Sequence, residues 1–118
     1  LVVADGQGQP RLLALLRRFQ PPDRWGARLA LYPLPPELTA EAAADPRTRP
    51  LAPLASWDLL ADPPALPADN WEGLAAGPTL ADGRPTVVVV SDDNFSPFQD
   101  NHLALLAPGR PNTCTPAP

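Results

Sequence analysis

The sequence has little of what many functional sites are built from. Its 118 residues include no methionine, one cysteine and one histidine. The single cysteine, Cys114, excludes an internal disulfide and thiolate metal sites, which need several cysteines. The single histidine, His102, excludes multi-histidine zinc sites. The G-x-S-x-G and G-x-x-x-x-G-K-[ST] motifs do not occur, so an α/β-hydrolase serine and a phosphate-binding P-loop are excluded as well.

Positive charge is also scarce. The chain has no lysine, and 13 acidic residues outnumber its nine arginines, which gives a formal net charge of −4. This balance argues against nucleic acid as a partner. No apolar run approaches the roughly 20 residues of a membrane span. The chain begins at Leu1 rather than at methionine, so we expect its natural start, with any signal peptide, to lie upstream.

Proline is abundant, with 19 residues beside 7 glycines. Together they fall just below the roughly 25–30% at which disorder becomes the default. Turn residues recur every 8–12 positions or so, a spacing typical of sandwiches, barrels and propellers. The pattern therefore predicts short strands at residues 1–4, 11–19, 26–32, 54–60, 71–78, 86–91 and 102–107.

The spacing of the proline and glycine residues divides the chain into four parts. Residues 1–36 are predicted to form a β-meander that belongs to a penultimate blade. Residues 37–53 form an insertion with a short helix, since prolines precede it and acidic residues lie near its start. Residues 54–107 form a terminal blade, and residues 108–118 form a disordered, proline-rich tail.

The strongest strand prediction is the valine run that begins at Val87 and ends at Val90. It is β-branched throughout and apolar on both faces, so both faces are expected to be covered. An inner strand of a propeller blade meets that condition, whereas a sandwich strand has one wet face. The predicted fold is therefore all-β and β-propeller-like, with one or two antiparallel blades from the C-terminal end.

Acidic and amide side chains cluster on either side of this run. Asp82-Gly83 predicts a hairpin that brings Glu72 beside Asp92, Asp93 and Asn94. These oxygens are hard ligands of the kind that Ca²⁺ takes. Two alternatives stay open: Glu72 binds backbone amides at a blade end, and residues 92–94 form an Asx-type turn. Neighbouring carboxylates repel without a cation or arginine between them, and Arg84 is the nearest arginine in sequence.

Several blocks resemble the C-terminal segment of the phytase-like esterase family. They are Asn70-Trp71-Glu72-Gly73-Leu74-Ala75, then Asp82-Gly83-Arg84, and then the valine run continued by Ser91-Asp92-Asp93-Asn94-Phe95-Ser96-Pro97. The resemblance implies a β-propeller-like fold in periplasmic or secreted bacterial proteins. It places Glu72, Asp92, Asp93 and Asn94 at the family's signature acidic positions, from which we predict that Glu72 and Asp92 are catalytic and that all four residues bind calcium. Arg84 is assigned to substrate binding. Residues 97–101 depart from the family pattern.

Two functions from different classes are consistent with these observations. The first is a metal-assisted hydrolase of phosphoric or carboxylic esters, present here as a C-terminal piece that needs the upstream blades of the same protein and a small-molecule ester substrate. The alternative is a non-catalytic propeller module that binds a ligand or a protein. We expect Trp57, Trp71 and Phe95 to pack in the core and His102 to lie on a strand surface.

Overall fold

The structure is a computed structural model that describes residues 1–34, 51–61 and 64–109. Regular structure in these residues consists of seven strands: β1 (Val2–Ala4), β2 (Pro10–Gln20), β3 (Arg24–Pro33), β4 (Ala55–Asp58), β5 (Trp71–Ala76), β6 (Val87–Ser91) and β7 (Leu103–Leu106). They include no helix, and so none that could cross a bilayer. The predicted short helix, the tail from residue 110 onward and Cys114 lie outside the described residues.

The first sheet contains β1, β2, β3 and β4 in that order, with antiparallel neighbours. Its centre is the long β2–β3 hairpin, whose ladder pairs Leu13 with Leu31 and Leu15 with Leu29. The turn dipeptides of the sequence lie between these strands, as predicted. A four-stranded antiparallel sheet in sequential order is the arrangement of one propeller blade.

Asp5 holds the turn between β1 and β2. Its Oδ1 accepts hydrogen bonds from the backbone N–H groups of Gln7 and Gln9, each at 2.9 Å, and its Oδ2 lies 2.7 Å from the Arg11 guanidinium. The backbone N–H groups of Gln9 and Gln7 hold the pKa of Asp5 below its ordinary value of 3.8. Gly8 completes the turn in the left-handed region, at φ +74°.

The second sheet contains β5, β6 and β7, also antiparallel and in sequence order. The loop between β5 and β6 closes with the Leu80 N–H donating to the Arg84 carbonyl and the Gly83 N–H donating to the Leu80 carbonyl, each at 2.9 Å. Gly83 adopts a φ of +84°, which a residue without a Cβ reaches at no steric cost. The predicted Asp82-Gly83 hairpin is therefore confirmed.

The core lies between the two sheets. The first sheet contributes Leu13 and Leu29, the second contributes Trp71 and Val89, and Leu66 of the connecting segment fills the space beside them. Val89 and Trp71 are almost fully buried, at 0% and 1% exposure. Complete burial of side chains of this kind stabilises a fold by about 1.5–3 kcal/mol each. This contact fixes the start of β5 against β2.

The boundary between the sheets lies later in the chain than the sequence predicts. Residues 54–107 were expected in one blade, but β4 pairs with β3 of the first sheet, with Leu29 opposite Trp57 and Leu31 opposite Ala55. The chain joins that ladder one residue earlier, where the Leu54 N–H donates to the Leu31 carbonyl. As a result the first sheet has four strands, and the second begins at Trp71.

The valine run is covered on one face, not on both as expected. Val89 is fully buried against the first sheet, whereas Val90 on the opposite face is 37% exposed. That face also carries Val88 and, on the neighbouring strand, Leu103 and Leu105, so we call these four residues the outer face of the second sheet. Within the described parts of the chain no element packs over it.

Two of the three aromatic residues expected in the core are on the surface. Trp57 is half exposed on the edge strand β4, and Phe95 is fully exposed in the loop after β6. Trp71 is buried as predicted, and its indole N–H donates to the Pro67 carbonyl at 2.9 Å. The difference follows from position, because a ring on an edge strand or in a loop has no second layer above it.

Candidate functional site

The β5–β6 hairpin brings two segments to one end of the second sheet: residues 69–72 and residues 92–94, which we call the acidic segments. Trp71 at the start of β5 pairs with Ser91 at the end of β6. One residue beyond this pair, the Asp92 N–H donates to the Asn70 carbonyl at 3.0 Å. The predicted juxtaposition of the two segments is therefore confirmed, and it depends on the antiparallel pairing of these strands.

Asn70 connects both segments to the first sheet. Its side chain is fully buried. Its Oδ1 accepts a hydrogen bond from the Arg17 guanidinium, and its Nδ2 donates to Glu72 Oε1 at 2.8 Å and to Asn94 Oδ1 at 3.1 Å. We call Arg17, Asn70, Glu72 and Asn94 the Asn70 network. It satisfies both ends of the buried amide, which an apolar environment requires.

Arg17 is the positive charge at this end of the sheet. Its Nη1 lies 2.8 Å from Glu72 Oε1, in an ion pair whose side chains are 51% and 38% exposed. Arg84, the partner that the sequence favoured, is at the opposite end of the hairpin. There it pairs with Asp82 at 2.9 Å and donates to the Pro108 carbonyl at 2.7 Å. The structure does not bring Arg84 to the acidic segments, and a substrate-binding role for it stays a prediction.

The four predicted metal-binding residues do not all contact the same group. Glu72 and Asn94 are joined through Asn70, and Asp92 approaches the same amide by its backbone carbonyl at 3.5 Å. Asp93 is engaged elsewhere: its Oδ1 accepts from the Phe95 N–H at 2.9 Å, which is the Asx-type turn left open by the sequence.

A calcium ion does not fit these side chains as they are arranged. Within the described residues no group of three or more histidine, cysteine, aspartate or glutamate side chains is placed to hold a metal. The Arg17 guanidinium already neutralises Glu72, and a cation there would meet a like charge. Calcium binding stays a prediction, and it requires Glu72 to leave Arg17.

Asp92 is the carboxylate left free for chemistry. It is half-buried, and its side chain has no hydrogen bond or ion pair within the described part of the chain. A carboxylate in this state accepts a proton from water or from a hydroxyl group when one is within hydrogen-bond reach. Arg17 lies on the other side of Asn70, where Glu72 and Asn70 engage its Nη1; its remaining N–H groups are the donors for an anion at this end of the sheet.

A second cluster of polar side chains, Asp69, Ser91 and His102, lies at the same end of the sheet. Asp69 is buried, and its Oδ2 accepts from the Ser91 hydroxyl at 2.9 Å, while the His102 Nε2 lies 3.5 Å from the same oxygen. The His102 ring, 44% exposed in its side chain, also stacks on Trp71 with centroids 6.2 Å apart. The aspartate lies between serine and histidine, which is the wrong order for a nucleophilic triad. These contacts join β5, β6 and β7.

The loop after β6 has an unusual backbone. Asn94 and Phe95 both lie in the left-handed region, at φ 51° and 55°. Asparagine tolerates this conformation, whereas a bulky residue rarely adopts it. The conformation places Asn94 against Asn70 and leaves the Phe95 ring in solvent.

Arg17, Asn70 and Asp69 were missing from the sequence-based site. Asp69 and Asn70 lie three and two positions before Glu72, and a carboxylate and an amide just before an apolar strand are a signal for buried hydrogen-bonding groups. Arg17 carries no local signal, because it lies 53 positions before Asn70 and reaches it through packing of the two sheets.

Comparison with known proteins identifies one family. The family model described as Phytase-like, esterase-like activity of phytase, matches residues 2–95, which is more than half of the chain. The matched region contains the strands from β1 to β6 and every member of the Asn70 network. No curated protein and no solved structure matches the chain.

Proposed function

Because the chain belongs to the phytase-like family (esterase-like activity of phytase), with its β-propeller-like fold, we propose that it is part of a hydrolase of phosphoric or carboxylic esters. The observation that carries this proposal is the Asn70 network. It joins both acidic segments at one sheet end, beside an arginine and a free carboxylate.

In this proposal Asp92 is the catalytic base. Its carboxylate accepts a proton from the water that attacks the ester, the bond to the leaving alcohol then breaks, and the alcohol takes up that proton, while Arg17 offsets the negative charge that develops on the ester oxygens. Glu72 holds Arg17 in place through the 2.8 Å ion pair. Asn70 holds Arg17 and Glu72 together, since its buried amide contacts both.

A model-ester assay on the intact protein tests this proposal. Asp92→Asn removes the base and should lower turnover about 100-fold or more, as expected for general base catalysis. Asp100→Asn is the matched control, because it removes the same charge from an exposed position in the same loop. Retained turnover in Asp92→Asn refutes the assignment of the base.

Calcium binding and export are separate predictions, which the hydrolase proposed above does not need. They rest on the family resemblance alone, which points to a calcium ion held by Glu72, Asp92, Asp93 and Asn94 and to a periplasmic or secreted location; such an ion requires Glu72 to leave Arg17. If calcium binds, it raises the melting temperature of the intact protein, and Glu72→Gln removes that gain. A wild-type melting temperature that is indifferent to calcium contradicts the metal site.

One observation favours the alternative, a non-catalytic ligand- or protein-binding module. Glu72 is already paired with Arg17 and Asn70, as a carboxylate with a purely structural role would be. In that case the intact wild-type protein has no turnover on either phosphoric or carboxylic model esters. Glu72→Gln then changes stability alone, by less than about 1 kcal/mol, because the ion pair is exposed.

A further inference from the structure

The first sheet has a groove on the face that points away from the second sheet. Cross-strand partners share a face, and the pairs Leu16 with Arg28, Arg18 with Gly26, and Arg28 with Asp58 lie on this one. The opposite face carries Leu13, Leu29 and the rest of the core. The groove has a volume of about 430 Å³. Its lining also includes Arg17 of the Asn70 network and Ala27 of the core, so the groove adjoins the network, while Arg18 and Arg28 lie on the outer side of the sheet.

Two guanidinium groups of this groove have no charge partner. Arg18 and Arg28 are exposed, and no carboxylate in the described residues lies within ion-pair distance of either. Arg17 also lines the groove, but its guanidinium is engaged by Glu72 and Asn70. The unneutralised charge is notable in a chain whose formal net charge is −4.

Backbone geometry leaves room between these two arginines. Arg18 and Arg28 are diagonal neighbours on adjacent strands, a separation of about 7–8 Å that long side chains readily span. Gly26, directly opposite Arg18, places no side chain between them. The Asp58 carboxylate on the far side of Arg28 accepts the Leu60 N–H at 3.0 Å instead of pairing with the arginine.

From this arrangement we propose that the groove binds an oxyanion, and specifically the phosphate group of a small phosphorylated molecule. Two guanidinium groups present planar forks of N–H donors that match phosphate oxygens. A doubly charged phosphate suits two unpaired arginines better than a singly charged carboxylate does. The overall negative charge of the chain disfavours an extended polyanion, which would be repelled outside the groove. This inference does not depend on ester hydrolysis.

Titration of the chain with inorganic phosphate, followed by amide NMR at low ionic strength, tests the proposal. We expect saturable shifts confined to the residues around positions 16–18 and 26–28, and weaker binding as salt is raised. Arg18→Gln and Arg28→Gln should each weaken phosphate binding by about tenfold, the effect of losing one charge-assisted contact. Acetate should bind more weakly than phosphate.

Arg24→Gln is the matched control. Arg24 is an exposed arginine on the same strand as Arg28 and outside the groove lining, and its replacement removes the same charge. Arg24 is diagonal to Arg18 on the side away from Arg28, so its charge reaches a phosphate in the groove only through screening solvent, and we expect its loss to weaken binding less than about twofold. Absence of saturable phosphate shifts in the wild type overturns the proposal, and so does an equal loss in Arg24→Gln. Phosphate binding without ester turnover leaves this inference intact and refutes only the hydrolase.

Discussion

Replacement of Asn70 by alanine is the sharpest test of how the two sheets are joined. The substitution removes the bond to Asn94, worth about 1 kcal/mol. It also removes bonds to Arg17 and Glu72, which we discount to about 1 kcal/mol each because those side chains are 51% and 38% exposed. The expected loss is about 3 kcal/mol of unfolding free energy, or about 10 °C or more in Tm for a chain of this size.

Asn101→Ala is the matched control for this experiment. Asn101 also bonds through both ends of its amide, accepting from the Asp93 N–H at 3.1 Å and donating to Asp93 Oδ2 at 3.2 Å, but it is exposed. Its removal should cost less than about 1 kcal/mol, since water replaces the lost partners. Urea denaturation of both variants gives the comparison. If Asn70→Ala loses no more stability than Asn101→Ala, burial of the amide does not hold the network together.

Three further predictions concern other parts of the molecule. Gly77→Ala should destabilise the chain by about 1–3 kcal/mol, because the added Cβ overlaps the Thr86 hydroxyl. Gly6→Ala, whose Cβ meets no atom, should change stability by less than about 0.5 kcal/mol in the same urea denaturation. The lowered pKa of Asp5 stabilises the folded chain at pH values above 3.8, and this stability is lost as the pH falls through the pKa of the folded state, which lies below 3.8. In Asp5→Asn the unfolding free energy should therefore fall less steeply as the pH is lowered through this range. The 118-residue chain should associate in light scattering through the outer face of the second sheet, and Leu103→Glu should reduce its apparent mass; a wild-type monomer contradicts this.

The strands could be predicted because their signals are local. The valine run marks β6 by its β-branched residues, and Asp82-Gly83 marks the turn before it. Those two signals also predicted that Glu72 meets the segment after β6, because antiparallel pairing places the start of one strand beside the end of the next. The β5–β6 hairpin, and the meeting of Glu72 with the segment after β6, could therefore be predicted from about 25 consecutive residues.

The remaining features depend on contacts that no local pattern encodes. The strand β4 has only four residues, and its sequence carries no local signal for the sheet edge that it joins. Arg17 was missed for the same reason, since it reaches Asn70 only after the sheets pack. Arg84 was preferred because it is near in sequence, but the hairpin turns it away. The exposure of Phe95 follows from a left-handed backbone that the surrounding turn imposes.

At Phe95 the stability of the chain and the presence of an aromatic side chain can be changed independently of each other. Its ring touches solvent on all sides, so it adds nothing to the core, while its left-handed backbone costs about 1 kcal/mol. Glycine at this position should therefore make the chain more stable and, in the same step, delete an aromatic surface beside the acidic segments. Any binding or turnover lost in that more robust variant must be attributed to the ring itself.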